Sequence, residues 1–362
     1  MRTLLAIGTR KGLFLAQSTD RARWELTGMH FAMAEVYAVG IDTRGSTPRL
    51  LVGSSHSHFG PSVSTSDDLG QSWQEPELAP IAFPEDTSAS LERVWQLTPG
   101  RVDDPDVIYA GAEPSALFRS SDGGKTFEFV QGLWDHPHRE HWTPGGGGKS
   151  IHTVLPHPTD PQRVLVAMST GGVYQTSDGG ASWQASNSGI RVDFLPDNPY
   201  PEFGQCVHKV ARSAGDPELC FLQHHHGVYR SDDGGTHWTS IADGLPSDFG
   251  FPMVAHPHRS GVVYNFPLTA DARRFPPDER ARVYRSEDAG QSWTGLDKGL
   301  PSEMFCSAVM RDAMCCDDAD PAGVYFGSRS GEVYASPDEG DTWHQVAAHL
   351  PDVLSVRAAV VD

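Results

Sequence analysis

The sequence has little positive charge, few cysteines and no long hydrophobic run. Its 362 residues contain 28 lysines and arginines against 47 aspartates and glutamates, which gives a formal net charge of −19. This surplus of negative charge disfavours binding to nucleic-acid phosphates and to anionic membrane surfaces. No stretch of the sequence is long and apolar enough for a membrane-spanning helix. We therefore expect neither nucleic acid nor a membrane as a partner.

Cysteine is scarce, and its spacing is irregular. The five cysteines are an odd number without the spacing of a disulfide framework. The apolar stretch at residues 3–7 is too short for the core of a signal peptide, and Arg10 and Lys11 follow it closely. We therefore expect reduced thiols and a cytoplasmic location.

One short motif, Ser/Thr-x-Asp-x-Gly-x-x-Trp/Phe, occurs six times at a nearly constant spacing. Its closing aromatic residues lie 54, 56, 55, 55 and 50 residues apart, and a degraded copy ends at Trp24, 49 residues before the first of them. Repeats of this period are typical of solenoids, arrays and propellers. The six complete copies are Ser66–Trp73, Ser120–Phe127, Thr176–Trp183, Ser231–Trp238, Ser286–Trp293 and Ser336–Trp343.

The residues of this motif predict a β-hairpin turn. The aspartate accepts hydrogen bonds from N–H groups of the turn, and the glycine supplies a positive φ. The motif resembles the Asp-box, or BNR, repeat, and the resemblance covers the whole chain. It implies turns that stabilise the fold and lie away from the active site. Through the Asp boxes the chain resembles sialidase-like propellers. It is more similar to uncharacterised bacterial glycosyl-hydrolase-like propellers, which share the segments Gly8–Gly12, Arg93–Trp95, Cys206–His208, Asp248–Pro252 and Phe275–Asp278.

We predict an all-β fold, a single seven-bladed β-propeller domain of residues 1–362. Seven candidates exist for the second strand of a blade, and the last innermost candidate, Val353–Val360, has no second strand after it. The N- and C-terminal strands are therefore expected to close one blade together, which would protect sheet edges. The innermost strand before that one is expected at Cys306–Met310.

Histidine is concentrated in the segments expected opposite the Asp-box turns, which hold 11 of the 17 histidines. Loops on a rigid scaffold commonly carry function, and imidazole is a common ligand of transition metals. We predict that a divalent transition metal is bound by His56, His152, His208 and His225, with Glu113 close by. The alternative is that these histidines form hydrogen bonds in a polar channel and anchor the starts of strands.

Charged residues on the same loops predict recognition of an anion, such as a carboxylate. Arginine presents a planar fork that binds a carboxylate through two hydrogen bonds. We predict Glu113, His208 and Arg93 as catalytic residues. The predicted substrate-binding residues are Arg10, Lys11, Glu35, Trp95, Lys149 and Arg329. The alternative is that these charges pair with neighbouring loops.

The glycine-rich segment Gly145–Ser150 does not match a phosphate-binding loop. It lacks the first glycine of that motif and leads into a predicted strand, so no helix N-terminus would face a phosphate. We expect these glycines to let a loop fold across the mouth of the channel.

Two functions remain open. The first is an enzyme that acts on a small polar, anionic or sugar-like ligand at the channel mouth, by hydrolysis or elimination, with or without a metal. The second is a non-catalytic binding or assembly propeller, like the Asp-box factors that assemble photosynthetic complexes. Sialidase activity is disfavoured, because the Phe/Tyr-Arg-Ile-Pro segment and an assignable Tyr–Glu pair are missing. The Asp-box resemblance implies the fold and not the activity.

Overall fold

The computed structural model describes residues 2–145 and 148–361, which form two compact units. Unit 1 comprises the described residues up to 30, residues 188–201 and those from 208 onward; unit 2 comprises residues 31–187, without 146 and 147, and residues 202–207. Gly146 and Gly147 of the predicted loop lie outside the described residues, as do both ends of the predicted domain.

The described residues form short strands with very little helix. The strands up to residue 187 are β1 (Arg2–Thr9), β2 (Gly12–Ser18), β3 (Glu25–His30), β4 (Glu35–Asp42), β5 (Arg49–His56), β6 (Gly60–Ser66), β7 (Arg93–Pro99), β8 (Ile108–Glu113), β9 (Ala116–Ser120), β10 (Glu128–Phe129), β11 (Ile151–Pro156), β12 (Val164–Met168), β13 (Gly172–Thr176) and β14 (Gln184–Ala185). The later strands are β15 (Val207–Arg212), β16 (Cys220–His224), β17 (Val228–Ser231), β18 (Thr239–Ser240), β19 (Phe249–Ala255), β20 (Val263–Leu268), β21 (Val283–Ser286), β22 (Thr294–Leu296), β23 (Val309–Cys316), β24 (Val324–Ser328), β25 (Val333–Ser336), β26 (His344–Ala347) and β27 (Val353–Val361).

Helix is limited to single turns in the described residues. The α-helical turn is α1 (Gln131–Trp134), and the 3₁₀ turns are Glu85–Thr87, Pro137–His141 and Pro277–Glu279. Among the described residues, no helix has the length and apolar character needed to cross a membrane.

Unit 2 contains sheets in which consecutive strands are neighbours. Strands β7 to β10 form one four-stranded sheet, β11 to β14 form another, and β4 to β6 form a three-stranded sheet. The closing aromatics of two motifs, Phe127 and Trp183, are buried in the apolar clusters of these sheets. These two motifs therefore contribute both a turn and a core residue.

Unit 1 also contains antiparallel four-stranded sheets, β15 to β18 and β19 to β22, and an eight-stranded sheet in the order β26-β25-β24-β23-β27-β1-β2-β3. In the eight-stranded sheet, the last strand pairs antiparallel with the first, from Arg2 opposite Val361 to Thr9 opposite Val353. The terminal strands are thus neighbours, as the sequence predicted. The fold is all-β and its sheets are those of a β-propeller, while the count of seven blades stays a prediction.

The motif turns have the predicted hydrogen bonds. In unit 2, Thr176 Oγ1 donates to Asp178 Oδ1 over 2.7 Å and accepts from the backbone N–H of Gly180 over 2.9 Å. The N–H of Ser182 donates to Asp178 Oδ1 over 2.9 Å, and Gly180 has a φ of +99°. Bonds from the Ser182 hydroxyl and N–H lower the pKa of Asp178 to about 2. The turn therefore depends on an ionised aspartate.

The prediction of an innermost strand at Cys306–Met310 was wrong. The strand is β23 (Val309–Cys316), which continues through the charged residues Arg311 and Asp312. Charged residues seldom lie inside a buried strand unless they are paired. Here the Asp312 carboxylate is paired with Lys209 and Arg357, so the strand tolerates it.

Candidate functional site

The candidate site of unit 2 is built on two neighbouring strands, β7 and β8. Arg93 is the first residue of β7, Glu113 is the last of β8, and the two lie opposite each other in the antiparallel register. Arg93 Nη1 donates to Glu113 Oε2 over 2.7 Å, and Trp95 Nε1 donates to the same oxygen over 2.8 Å. Three of the predicted site residues therefore meet at one buried carboxylate.

Strand β4 adds a second carboxylate and an aromatic ring. Glu35 Oε2 lies 3.6 Å from Arg93 Nη2, so one guanidinium group contacts two carboxylates. The Arg93 Cζ atom lies 4.6 Å from the centre of the Tyr37 ring, which in turn lies 4.8 Å from the ring of Trp95. Sequence reasoning missed Tyr37. Its local sequence carried no signal, because the register of β4 and β5 shifts between Val36 and Ala38 and interrupts the regular alternation of faces.

Gly148 covers the other side of the Glu113 carboxyl group. A Cβ atom built on Gly148 would lie 2.0 Å from Glu113 Oε1, and its φ is +88°. Glycine is therefore required here both by the backbone conformation and by the close approach. The next residue, Lys149, is half-buried. The described part of the glycine-rich loop thus packs against the carboxylate that the sequence predicted as catalytic.

Two predicted metal ligands of unit 2 have other contacts. His152 is fully buried, with Nε2 2.9 Å from the carbonyl oxygen of Val207 and Nδ1 3.1 Å from the Thr153 hydroxyl. His56 Nδ1 accepts from the N–H of His58 over 3.1 Å. These contacts support the alternative role of hydrogen bonding and of anchoring a strand start.

Two other predicted ligands meet in unit 1. The rings of His208 and His225 lie 5.3 Å apart, and His208 stacks on Phe251 at 4.7 Å. His208 Nδ1 lies 2.6 Å from the Gly250 carbonyl oxygen. Burial lowers the pKa of both histidines, and for His208 the charge of Arg311 lowers it further. Both are therefore neutral at pH 7, which is the form of imidazole that binds metals. This pair could supply two ligands, and the four-histidine site stays a prediction.

Two predicted anion-binding arginines of unit 1 converge on one acid. Arg10 Nε lies 3.3 Å and Arg329 Nη2 2.5 Å from Asp352 Oδ2, while Lys11 is exposed. Sequence reasoning missed Asp352, which immediately precedes β27. Its contacts favour the alternative that loop charges pair with one another, although both arginine side chains remain about two-fifths exposed.

Comparison with known proteins identifies similar propellers. The pattern of the DUF6242 β-propeller domain matches residues 137–361. A xyloglucanase from a Paenibacillus species is 20% identical over 279 residues, which are 67% of this chain and 26% of that enzyme. The chain thus spans about a quarter of this curated relative.

Solved structures of similar fold include enzymes and a peptide-bound protein. An ancestral GH74 enzyme aligns with a TM-score of 0.58 at 17% identity, over 89% of this chain and 38% of the enzyme. YCF48 bound to a D1 peptide aligns with a TM-score of 0.51 at 15% identity, over 87% of this chain and 81% of YCF48. Identities this low show the fold alone.

Proposed function

This chain belongs to the DUF6242 β-propeller domain family, and from that premise we propose that it hydrolyses a small polar, sugar-like substrate at the Arg93–Glu113 site of unit 2. One observation carries the proposal. The guanidinium group of Arg93 contacts two carboxylates of different exposure, Glu113 and Glu35.

Paired carboxylates in different environments are the usual means of glycoside hydrolysis. One acts as the acid and the other as base or nucleophile, and their surroundings assign the roles. The Glu113 side chain is 10% exposed and Glu35 27%. Since Arg93 and Trp95 orient the Glu113 carboxyl group, Glu113 is proposed as the base or nucleophile and Glu35 as the acid. Arg93 would bind an anionic group or stabilise negative charge.

The aromatic rings support a sugar-like substrate. Tyr37 and Trp95 lie beside the carboxylates, and aromatic side chains combine apolar area with polar edges. The similar Paenibacillus protein is named as a xyloglucanase, an enzyme of a carbohydrate substrate, which supports this substrate class.

The test compares two glutamines introduced into the same sheet. Glu113→Gln removes the proposed base, whereas Glu128→Gln changes an exposed glutamate of the outermost strand, β10. Both proteins are assayed on xyloglucan oligosaccharides and a panel of nitrophenyl glycosides. Loss of turnover of about 100-fold or more is expected for Glu113→Gln only. Equal turnover by both variants, or no turnover of any substrate by the unaltered chain, would reject hydrolysis at this site.

Three further points belong to this proposal: seven blades, Asp-box turns as structural elements, and a divalent transition metal at His208 and His225. The contact between these two neutral imidazoles supports the metal. Elemental analysis of protein purified without a His tag tests it, with His208→Ala as the comparison. Equal metal content in the two proteins would reject a metal at these two histidines.

A non-catalytic binding function is the second candidate, and one observation favours it. The loop of residues 188–201 in unit 1 exposes 48% of Phe194, 40% of Leu195 and 60% of Tyr200. Exposed apolar groups of this kind mark interaction surfaces, and YCF48 is a propeller of similar fold solved with a peptide. Replacing these three residues with serine should abolish peptide binding if this function is correct and leave glycoside turnover intact.

A further inference from the structure

Two adjoining cavities of unit 2 lie outside the proposed hydrolytic site. The first, of about 400 Å³, is lined by residues 134–137, 139 and 140. The second, of about 540 Å³, is lined by residues 131, 132, 135–137 and 181–183. Each volume is within the range of about 300–1,000 Å³ that is usual for ligand sites. Because the two cavities share residues 135–137, we treat them as one groove, the Asp135 groove.

The segment that forms the groove is anchored in the core. Leu133 and Trp134 of α1 are buried, and the N–H of Asp135 closes this helical turn on the Gln131 carbonyl oxygen over 2.9 Å. His136 Nδ1 then accepts from the N–H of His138 over 3.1 Å and begins the following 3₁₀ turn. The polar residues between the two turns are therefore held in defined positions.

Arg139 supplies hydrogen-bond donors to the first cavity. Its Cζ atom lies 3.6 Å from the centre of the Trp134 ring, a cation–π contact that fixes the guanidinium group. Within residues 2–145 and 148–361, no hydrogen bond or ion pair joins this guanidinium group to another residue. Its N–H donors are therefore available to a ligand.

Asp135 and Glu140 supply acceptors to the same cavity. Both residues are exposed, and Gln131 Nε2 donates to Asp135 Oδ1 over 2.8 Å. Burial lowers the pKa of His136, and the charge of His138 lowers it further. His136 is therefore neutral near pH 7, and the charged groups that line the first cavity are two carboxylates and one guanidinium group.

A ligand with a net charge suits this lining poorly. An anion attracted by Arg139 would face two carboxylates and a chain of net charge −19. A cation attracted by the carboxylates would face a guanidinium group that Trp134 holds in place. The hydroxyl groups of a sugar each donate and accept, so neighbouring hydroxyls can bond a carboxylate and a guanidinium group together.

We propose that the Asp135 groove binds a neutral oligosaccharide, as a second carbohydrate site of unit 2. One sugar ring bonds Arg139 and Glu140 in the first cavity, and the chain of sugars continues past Asp135 into the second. The groove shares no residue with the proposed hydrolytic site. The proposal concerns binding alone, so it does not rest on hydrolysis at Arg93 and Glu113.

The first test compares sugars that differ in length or in charge. Binding of glucose, cellotetraose and the β-1,4-linked tetramer of glucuronate to the full chain is measured by calorimetry at constant ionic strength. Titrations of Glu113→Gln run in parallel, so that cleavage of a ligand is recognised. Cellotetraose is expected to bind about tenfold more tightly than either of the others, a difference of about 1.4 kcal/mol.

Each alternative result of this comparison is decisive. Equal affinity for glucose would show that the groove accommodates a single ring. Binding of the glucuronate tetramer as tightly as cellotetraose would show an anion site at Arg139. Either result, or no binding of cellotetraose at about 10 mM, which is a very weak interaction, would overturn the proposal.

Variants assign the binding to the groove. Arg139→Gln and Glu140→Gln should each weaken the binding of cellotetraose about fivefold or more, because each removes a charged hydrogen-bonding group. The matched controls are Arg119→Gln, at a half-buried arginine of β9, and Glu128→Gln, at an exposed glutamate of β10. Both controls should bind cellotetraose as the unaltered chain does.

Thermal unfolding verifies that each variant folds, and Glu140→Gln at its exposed position decides the matter if Arg139→Gln does not. Unchanged affinity for cellotetraose in the folded groove variants would place the sugar elsewhere and overturn the proposal. Turnover of nitrophenyl glycosides separates the two sites, since the groove variants should leave it unchanged. Absence of turnover together with weakened binding in these variants would reject the hydrolytic function and support the groove.

Discussion

Arg93 and Glu113 are directly opposite each other in the register of β7 and β8, and their side chains form an ion pair of 2.7 Å. The pair is mostly shielded from solvent, since the side chains are 27% and 10% exposed. The same pair joins two strands and forms part of the proposed hydrolytic site. The effects of replacing the two residues on the free energy of unfolding are therefore expected to depend on each other.

The first prediction concerns this dependence. Arg93→Met leaves Glu113 without its cation and should lower the free energy of unfolding by about 1–3 kcal/mol, less than for a fully buried pair. The double variant with Glu113→Gln should recover at least half of this loss, because the uncompensated charge is then gone. Urea unfolding of both single variants and the double variant measures the coupling. Strictly additive losses would show that the ion pair contributes nothing.

The second prediction concerns the approach of the loop to Glu113. Gly148→Ala should be less stable than Gly60→Ala by about 1–2 kcal/mol, because overpacking against a fixed group is destabilising. Both glycines have positive φ, +88° and +75°, but a Cβ atom at Gly60 meets nothing within 4 Å. The comparison of the two unfolding curves thus separates the contact from backbone strain. Equal stability of the two variants would mean that the loop moves away freely.

The third prediction concerns the motif turns. Asp233 Oδ1 accepts from the Ser231 hydroxyl and from the N–H groups of Thr236 and His237, at 2.8, 3.0 and 2.9 Å. Asp233→Ala should therefore lower the unfolding free energy by about 1–2 kcal/mol. The exposed neighbour provides the control, Asp232→Ala, which should change it by less than about 0.5 kcal/mol. Binding of the sugar-like substrate should survive in both variants. Its loss in folded Asp233→Ala would place the motif turns next to the substrate-binding site.

The fourth prediction concerns pH. Burial lowers the pKa of His224 to about 3 and that of His208 well below its usual value. Below about pH 6.5 the unfolded chain therefore binds protons that the folded chain does not, and stability falls as pH decreases. The loss is up to about 1.4 kcal/mol per pH unit for each such histidine.

Urea unfolding between pH 7.5 and 5 measures this dependence, above the range in which the motif aspartates titrate. His224→Gln should flatten it, whereas His344→Gln, at an exposed position on β26, should not. If the two variants and the unaltered chain share one slope, His224 has the same pKa in the folded and the unfolded protein and burial does not lower it.

Several features of the site were predictable because they depend on local sequence. Arg93, Trp95 and Glu113 were predicted from their positions at strand ends and loops, and the structure brings them into contact. Tyr37 and Asp352 were missed, because nothing in their local sequence distinguishes them from ordinary strand and loop residues. The partners that give them a role come from other strands.

The sequence by itself determined the repeat, the turns and the all-β fold. A serine or threonine, an aspartate and a glycine at fixed short spacing form their hydrogen bonds within one turn, as at Thr176, Asp178 and Gly180. Such contacts need no distant partner. Strand β23 was mispredicted for the opposite reason, because the strand continues through charges that are neutralised only by distant residues.

Only the tertiary structure decided which charges meet. Lys209, Asp312 and Arg357 are separated by 103 and 45 residues, yet they share one carboxylate oxygen. The pairing of Arg10 and Arg329 with Asp352 likewise joins the beginning of the chain to its end. The energy of a charge depends on its burial and on the distance to its partners. Both quantities arise when the sheets pack, so a one-dimensional pattern does not contain them.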